Sequence, residues 1–230
     1  MKLVVSCEHA SADIPTEYQF LFSQQSEVLT THRAYDIGAI ELFTLLAQKA
    51  DFGLQAQTSR LLVELNRSLH HSKLFSEFTQ DLDRKTKNSI LDHYYHPYRN
   101  ELTSQIQQAM GQNQRVLHIS VHSFTPVLNG ERRQADIGLL YDSTRLEEKN
   151  FSRSWKQSLL RLNPELNIRY NYPYAGKADG FTTHLRKQFS QADYLGIELE
   201  VNQHYPLYEP KLWQTLQTQL ATSLQEILSL

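Results

Sequence analysis

The sequence predicts an α/β fold, a mixed and largely parallel sheet with helices on both faces. Short β-rich runs alternate with longer segments of helical apolar spacing, the pattern of strand–helix–strand units. The chain has 230 residues, 40% of them hydrophobic. That is enough for one substantial core, and single cores stop growing only at roughly 250–300 residues. No internal repeat, low-complexity tract or long Gly/Ser linker interrupts it, so residues 1–230 read as a single domain.

The elements follow in order. Residues 2–7 (KLVVSC) form a β-rich run that stops at Glu8-His9. Residues 36–50 carry apolar residues at helical spacing and read as a helix. Residues 60–66 (RLLVELN) read as a strand, and 88–110 as a long polar helix starting after Lys87. Residues 115–121 (RVLHISV) read as a buried strand and 136–141 (DIGLLY) as another. A helix over 146–162, partial helix over 178–190, a strand over 194–201 (YLGIELEV) and an amphipathic helix over 209–228 complete the chain. Ligands of such sheets sit beyond the carboxyl ends of the strands.

Charge narrows the function. Charged residues make up 21% and nearly cancel, leaving a formal charge of −2. A nucleic-acid or membrane-surface binder needs a basic excess to engage phosphates. No apolar run approaches the ~18 residues of a membrane span. The short apolar run of the first strand soon meets Glu8 and His9, too short for a signal peptide, so a cytoplasmic protein is expected. Cys7 is the only cysteine, which excludes an internal disulfide.

Four segments carry the chemistry: Cys7-Glu8-His9, Ser59 to Arg67, His118 to Ser123, and Gly196 to Asn202. Catalytic zinc commonly takes three protein ligands from His, Asp and Glu and leaves one position open. His9 and His122 each follow an apolar strand. His118 shares a strand face with His122 but lies further from the end. Each histidine could equally be a hydrogen-bonded core residue. Asp36 is the candidate acidic ligand, with helix capping as its alternative role. Arg60 and Arg67 flank the second of the β-rich runs, and Asn66 sets an amide beside the Arg67 fork. Arginine binds carboxylate bidentately, although a surface arginine pair fits too. Glu198 and Glu200 face one way on their strand. A carboxylate there is costly to bury unless paired or functional, and it could serve as a base; an edge strand with a solvated face is the alternative.

The segments SCEHAS, HRAYDIGA, SRLLVELNRS, HPYR, HISVHSFTP, ADIGLLYD, NYPYAGKADGFTTHLR and GIELEVNQ together resemble the N-formylglutamate amidohydrolase family. The likeness runs in order from about residue 4 to residue 208, and SVHSFTP, VELNRS and IELEVN are its most specific pieces. The family is related to the zinc carboxypeptidases and aspartoacylase. The resemblance therefore implies a carboxypeptidase-like (phosphorylase/hydrolase-like) α/β fold with one zinc ion, hydrolysing an amide beside a carboxylate.

Carried over by motif, His9 and His122 match the histidine ligands. Asp36 matches the acidic ligand, with Asp13 and Glu8 as fallbacks. Asn66 and Arg67 match the pair that holds a substrate carboxylate, and Arg60 the arginine that polarises the scissile carbonyl. Glu200 matches the general base, with Glu198 as its rival or as the partner of a ligand histidine. Tyr172 or Tyr174 is expected to close over the substrate. The chain departs from the better-studied branch of the wider group in its first loop, CEHAS rather than a Pro-His-Ser-Gly type, and in VELNR where Asp-Leu-Asn-Arg is usual. The expected substrate is a small N-acyl amino acid such as N-formylglutamate. Another small amide or peptide, a non-catalytic carboxylate binder, and a thiol hydrolase built on Cys7 and His9 are the competing readings.

Overall fold

The computed structural model describes residues 1–229. It contains the expected mixed, largely parallel sheet. The chain opens with β1 (Lys2–Cys7), two short 3₁₀ turns (Thr16–Phe22 and Ser26–Thr30), α1 (Ala39–Ala47) and β2 (Phe52–Gln55). After a long irregular stretch come α2 (Arg84–Ile90), one π-turn (Leu91–Tyr95), α3 (His96–Gly111) and β3 (Val116–Phe124). A small hairpin, β4 (Val127–Leu128) and β5 (Glu131–Arg132), leads to β6 (Ile137–Leu140), α4 (Leu146–Leu162) and β7 (Ile168–Tyr170). The last elements are α5 (Phe181–Gln188), β8 (Tyr194–Asn202), α6 (His204–Tyr208) and α7 (Pro210–Leu228).

The sheet order is β2-β1-β3-β8-β6-β7. The first four strands run parallel, and β6 turns the sheet mixed by pairing antiparallel with β8. From β1 the chain moves out to the edge strand β2 and then returns to β3 on the other side of β1. The carboxyl ends of β1 and β3 therefore flank a topological switch point, where open α/β sheets bind ligands.

Register divides the faces. Ser6 pairs with Ser120, Ser120 with Glu198, and His122 with Glu200. Paired residues in a sheet project the same way and successive residues alternate. One face thus carries Ser6, His118, Ser120, His122, Glu198 and Glu200; the other carries Val5, Cys7, Ile119, Val121, Ile197 and Leu199. Helices α1, α4 and α7 pack together. Over the polar face lie α3 and α5, where Tyr98 meets Phe181.

Three local expectations change. Residues 60–66 are not a strand but a series of turns, with Leu62 N–H bonded to Ser59 O and Arg67 N–H to Glu64 O. Leu61, Leu62, Val63 and Leu65 are all buried, so their β-like composition reflects burial rather than pairing, and context overrides propensity. The strand in this part of the chain is β2, whose edge position leaves little apolar signal. The helix expected from residue 36 starts at Ala39, after Gly38 at φ 85°. A Cβ there would lie 2.7 Å from Pro206 as well as straining the backbone. The polar helix starts earlier than Lys87, at Arg84, because Asp83 caps it by accepting from Lys85 and Thr86 N–H.

Candidate active site

The site is built where the carboxyl ends of β1 and β3 meet the turn at 59–67. β1 delivers His9 two residues past its last strand residue, and β3 delivers His122 from within the strand. Asp36 comes from the loop before α1, held by its own N–H donating to His9 O at 3.0 Å. Its side chain does not cap the helix. Instead Oδ2 lies 3.2 Å from His9 Nδ1 and 3.0 Å from His122 Nδ1, and the two Nδ1 atoms are 3.2 Å apart. All three side chains are buried.

These three atoms form a donor set for a cation. Zinc binds nitrogen at about 2.0–2.1 Å in tetrahedral sites, which places neighbouring ligand atoms roughly 3.3 Å apart. The opposite ring nitrogens have carboxylate partners: His9 Nε2 with Glu64 Oε1 at 2.5 Å, and His122 Nε2 with Glu8 Oε2 at 3.2 Å. Such partners place the proton on Nε2 and leave the Nδ1 lone pair for a metal. Two lone pairs and a carboxylate oxygen crowded together repel unless a cation lies between them, so the residues fit a bound metal ion.

Glu8 and Glu64 are thus histidine partners rather than ligands. Burial alone would raise both. The His122 hydrogen bond and charge hold Glu8 below the usual carboxylate range, and Arg60 with His9 does the same for Glu64. Ser120 Oγ donates to Glu8 at 2.5 Å and Tyr98 OH at 3.1 Å. Glu198, expected as an alternative histidine partner, instead accepts from Thr182 Oγ1. Asp13 is exposed and away from the cluster, its backbone carbonyl accepting from Ser59 N–H. The signal for Glu8 was present in the sequence as an acid closing an apolar strand, but its neighbour His122 lies far along the chain.

The other expected residues surround a cavity of about 160 Å³ lined by the metal-site residues and Arg60, Asn66, Arg67, Tyr174, Glu198 and Glu200. Arg60 binds Glu64 through Nε and Nη2 (2.9 and 2.6 Å) and Asp36 through Nη1 (3.3 Å). The Arg60–Glu64 pairing needs the turn, since residues four apart on a strand stand about 13 Å apart. Arg67 donates to Asp179 O. Asn66 Oδ1 accepts from Phe181 N–H at 2.7 Å. Arg99 of the HPYR motif and Tyr95 just before it brace this turn by donating to Leu65 O and Arg67 O. Tyr174 lies at the rim against Arg133, while Tyr172 packs on Phe124 and Arg169 outside the cavity.

Glu200 is buried with Oε2 lacking any hydrogen-bond partner. Burial, aided by the charges of Asp36 and Glu198, pushes its carboxyl up to about 8. Gly138 opposes Glu200 in the sheet; a Cβ there would meet Tyr172 O at 1.9 Å and Glu200 Cβ at 3.2 Å, so the glycine admits the 171–176 loop to the site. His118, bonded to Ser6 and Tyr194 at 2.7 Å each, is a core histidine. Cys7 is buried on the opposite sheet face, outside the cavity lining, and burial with the Glu8 charge pushes its thiol well up. A protonated, sequestered thiol is a poor nucleophile.

The comparisons agree with this architecture. A gene product of Agrobacterium tumefaciens is similar over 98% of this chain and 91% of its own, at 25% identity and a TM-score of 0.77. An N-formylglutamate amidohydrolase from Ralstonia eutropha shares the fold over 99% of this chain and 92% of its own, at 18% identity and a TM-score of 0.72. No curated protein sequence matches. The model of the N-formylglutamate amidohydrolase family matches residues 1–206, so the chain, with its histidine–aspartate cluster beside a buried glutamate, belongs to that family of amidohydrolases.

Proposed function

We propose that this amidohydrolase is zinc-dependent and cleaves the amide of small N-acyl amino acids such as N-formylglutamate. The supporting observation is the convergence of His9 Nδ1, His122 Nδ1 and Asp36 Oδ2 beside the unpartnered Glu200 Oε2. When bound there, a zinc ion supplies positive charge that polarises a carbonyl and lowers the pKa of water toward ~7.

The chain's own residues do the rest. Arg67, anchored by Asp179 O, holds the substrate carboxylate bidentately, and the Asn66 amide lines the same pocket. Arg60 keeps one N–H on each terminal nitrogen beyond its bonds to Asp36 and Glu64, and these face the growing negative charge on the carbonyl oxygen. Glu200, buried with Oε2 free of any hydrogen-bond partner, accepts the proton of the attacking water. As the water oxygen bonds to carbon and the C–N bond breaks, Glu200 returns the proton to the leaving amine. The products are a carboxylic acid, formate for a formyl substrate, and a free amino acid. Tyr174 closes the rim.

The test is metal analysis of protein purified without added metal, together with hydrolysis of an N-acyl amino acid panel. Near-stoichiometric zinc, chelator-sensitive release of formate and loss of zinc in His122→Ala are expected. Undiminished activity after chelation, or full zinc occupancy in His122→Ala, would overturn the assignment.

A further inference from the structure

Arg99 carries a charge that takes no direct part in the reaction. It closes the HPYR segment at the start of α3, is buried, and lies outside the residues that line the catalytic cavity. Taking a guanidinium out of water is costly, and a buried charge is ordinarily paired with an opposite one. The hydrogen-bond partners of Arg99 are instead main-chain carbonyls: Nη1 donates to Leu65 O at 2.9 Å and to Arg67 O at 3.4 Å. Aromatic faces supply the remaining compensation. Its Cζ lies 4.1 Å from the ring centre of Phe181 and 5.0 Å from that of Tyr95. Tyr95 and Arg99 stand four apart on continuous helical turns and so share a face. The Tyr95 hydroxyl adds a second donor to Arg67 O, at 2.7 Å.

We propose that Arg99 is a positioning residue for substrate recognition: without touching the substrate, it fixes the turn from which Asn66 and Arg67 reach the cavity. The proposal rests on the N-acyl amino acid reading above. The two carbonyls that Arg99 holds lie on either side of Asn66. The ring it packs on belongs to Phe181, whose N–H donates to Asn66 Oδ1 at 2.7 Å. Two residues earlier, Asp179 accepts from the Arg67 side chain through its carbonyl and from Ser68 N–H through Oδ2 at 3.0 Å. Arg99 therefore ties the 65–67 turn to the start of α5 at the place where both substrate-binding side chains emerge. Bidentate binding of a carboxylate demands a fixed direction of the arginine fork, and a displacement of about 1 Å is enough to cost two orders of magnitude. A lysine at position 99 would keep the charge but lose the planar fork that stacks on a ring while donating to carbonyls.

The experiment measures kcat, KM and zinc content of the zinc-loaded wild type, Arg99→Lys, Arg67→Lys and the double variant. The substrates are an N-formyl amino acid and the same compound with its α-carboxylate capped as an amide. Calorimetric binding of the free amino acid and its amide is measured in parallel. Arg99→Lys is expected to raise KM for the carboxylate substrate roughly five- to twentyfold, with kcat and zinc content close to wild type and the capped compound unaffected. In the Arg67→Lys background the further change should be small, because both substitutions disturb one contact. Equal losses on the two substrates, effects that multiply in the double variant, or no effect at all overturns the assignment. Should Arg99→Lys fail to fold, Tyr95→Phe removes the other donor to Arg67 O; a selective rise in KM of about threefold is expected, and its absence overturns the assignment equally. If the wild type hydrolyses neither compound but binds the free amino acid over its amide in an Arg99-dependent manner, the positioning role stands and the hydrolytic reading falls.

Discussion

At the scale of single residues, the two glutamates of β8 separate by environment. Both face the cavity, but Glu198 is tied to Thr182 whereas Glu200 Oε2 is buried without a partner. General acid–base catalysis contributes typically 10²- to 10⁴-fold. Glu200→Gln is therefore expected to lose that much kcat while keeping zinc, and Glu198→Gln to lose less. A catalytically dead Glu198→Gln with zinc intact would reverse the two roles. Arg67 makes a second prediction. Losing a bidentate contact to a charged group costs about 1.5–3 kcal/mol, so Arg67→Lys should raise KM for an N-acyl amino acid roughly ten- to a hundredfold. Its amide-capped analogue should be spared; equal losses on both would show that Arg67 does not read the carboxylate. The residue types at the candidate site were legible from the chain alone, because a buried acid or histidine at a strand end stands out against apolar neighbours. The pairing of Glu8 with His122 and Glu64 with His9 was not, because each pair joins elements far apart in sequence.

At the scale of elements, β3 shows how strand alternation stacks polar groups on one buried face. His118 lies two repeats of that alternation before His122, fully buried between Ser6 and Tyr194. Burial lowers its pKa from 6.5 to about 4. Above pH 6.5 both folded and unfolded states hold it neutral and its contribution to stability is complete. As pH falls from 6.5 toward 4 the unfolded chain takes up a proton that the folded chain refuses, so stability is lost. At pH 5 the loss is about 2 kcal/mol relative to pH 7. Urea unfolding of wild type and His118→Gln at both pH values checks this: the wild type should show the steeper decline, and identical declines would exclude His118 as the source. The element boundaries illustrate the limits of local reading. The expected helices at 88–110, 146–162 and 209–228 and the strands at 2–7, 115–121 and 194–201 all appear, with shifts at their ends. The apolar run at 60–66 became turns, while β2 and β7, four and three residues long at one edge or the other, carried too little periodicity to be seen.

At the scale of the whole molecule, the proposed metal site would tie together three segments: His9 after β1, Asp36 before α1 and His122 in β3. A ligand that binds only the folded state stabilises it by RT ln(1 + [L]/Kd), about 4 kcal/mol at a thousandfold excess over Kd. For a chain of this size that corresponds to a rise in Tm of roughly 10 °C. Thermal unfolding of chelated protein with and without added zinc measures it, and an unchanged Tm would contradict a metal shared among these loops. The sequence by itself determined the alternation of strands and helices, the polar strand ends, the balanced charge and the motifs that mark the family. These are properties of composition and local periodicity, which survive in one dimension. Only the tertiary structure decided that Asp36 joins the two histidines instead of capping α1, and that Glu8 and Glu64 pair with the imidazoles. Each of those depends on through-space distance. The sheet order sets β1 beside β3, and residues as far apart as His9 and His122, 113 positions along the chain, meet there because burying both strands in one sheet leaves their ends at the same switch point.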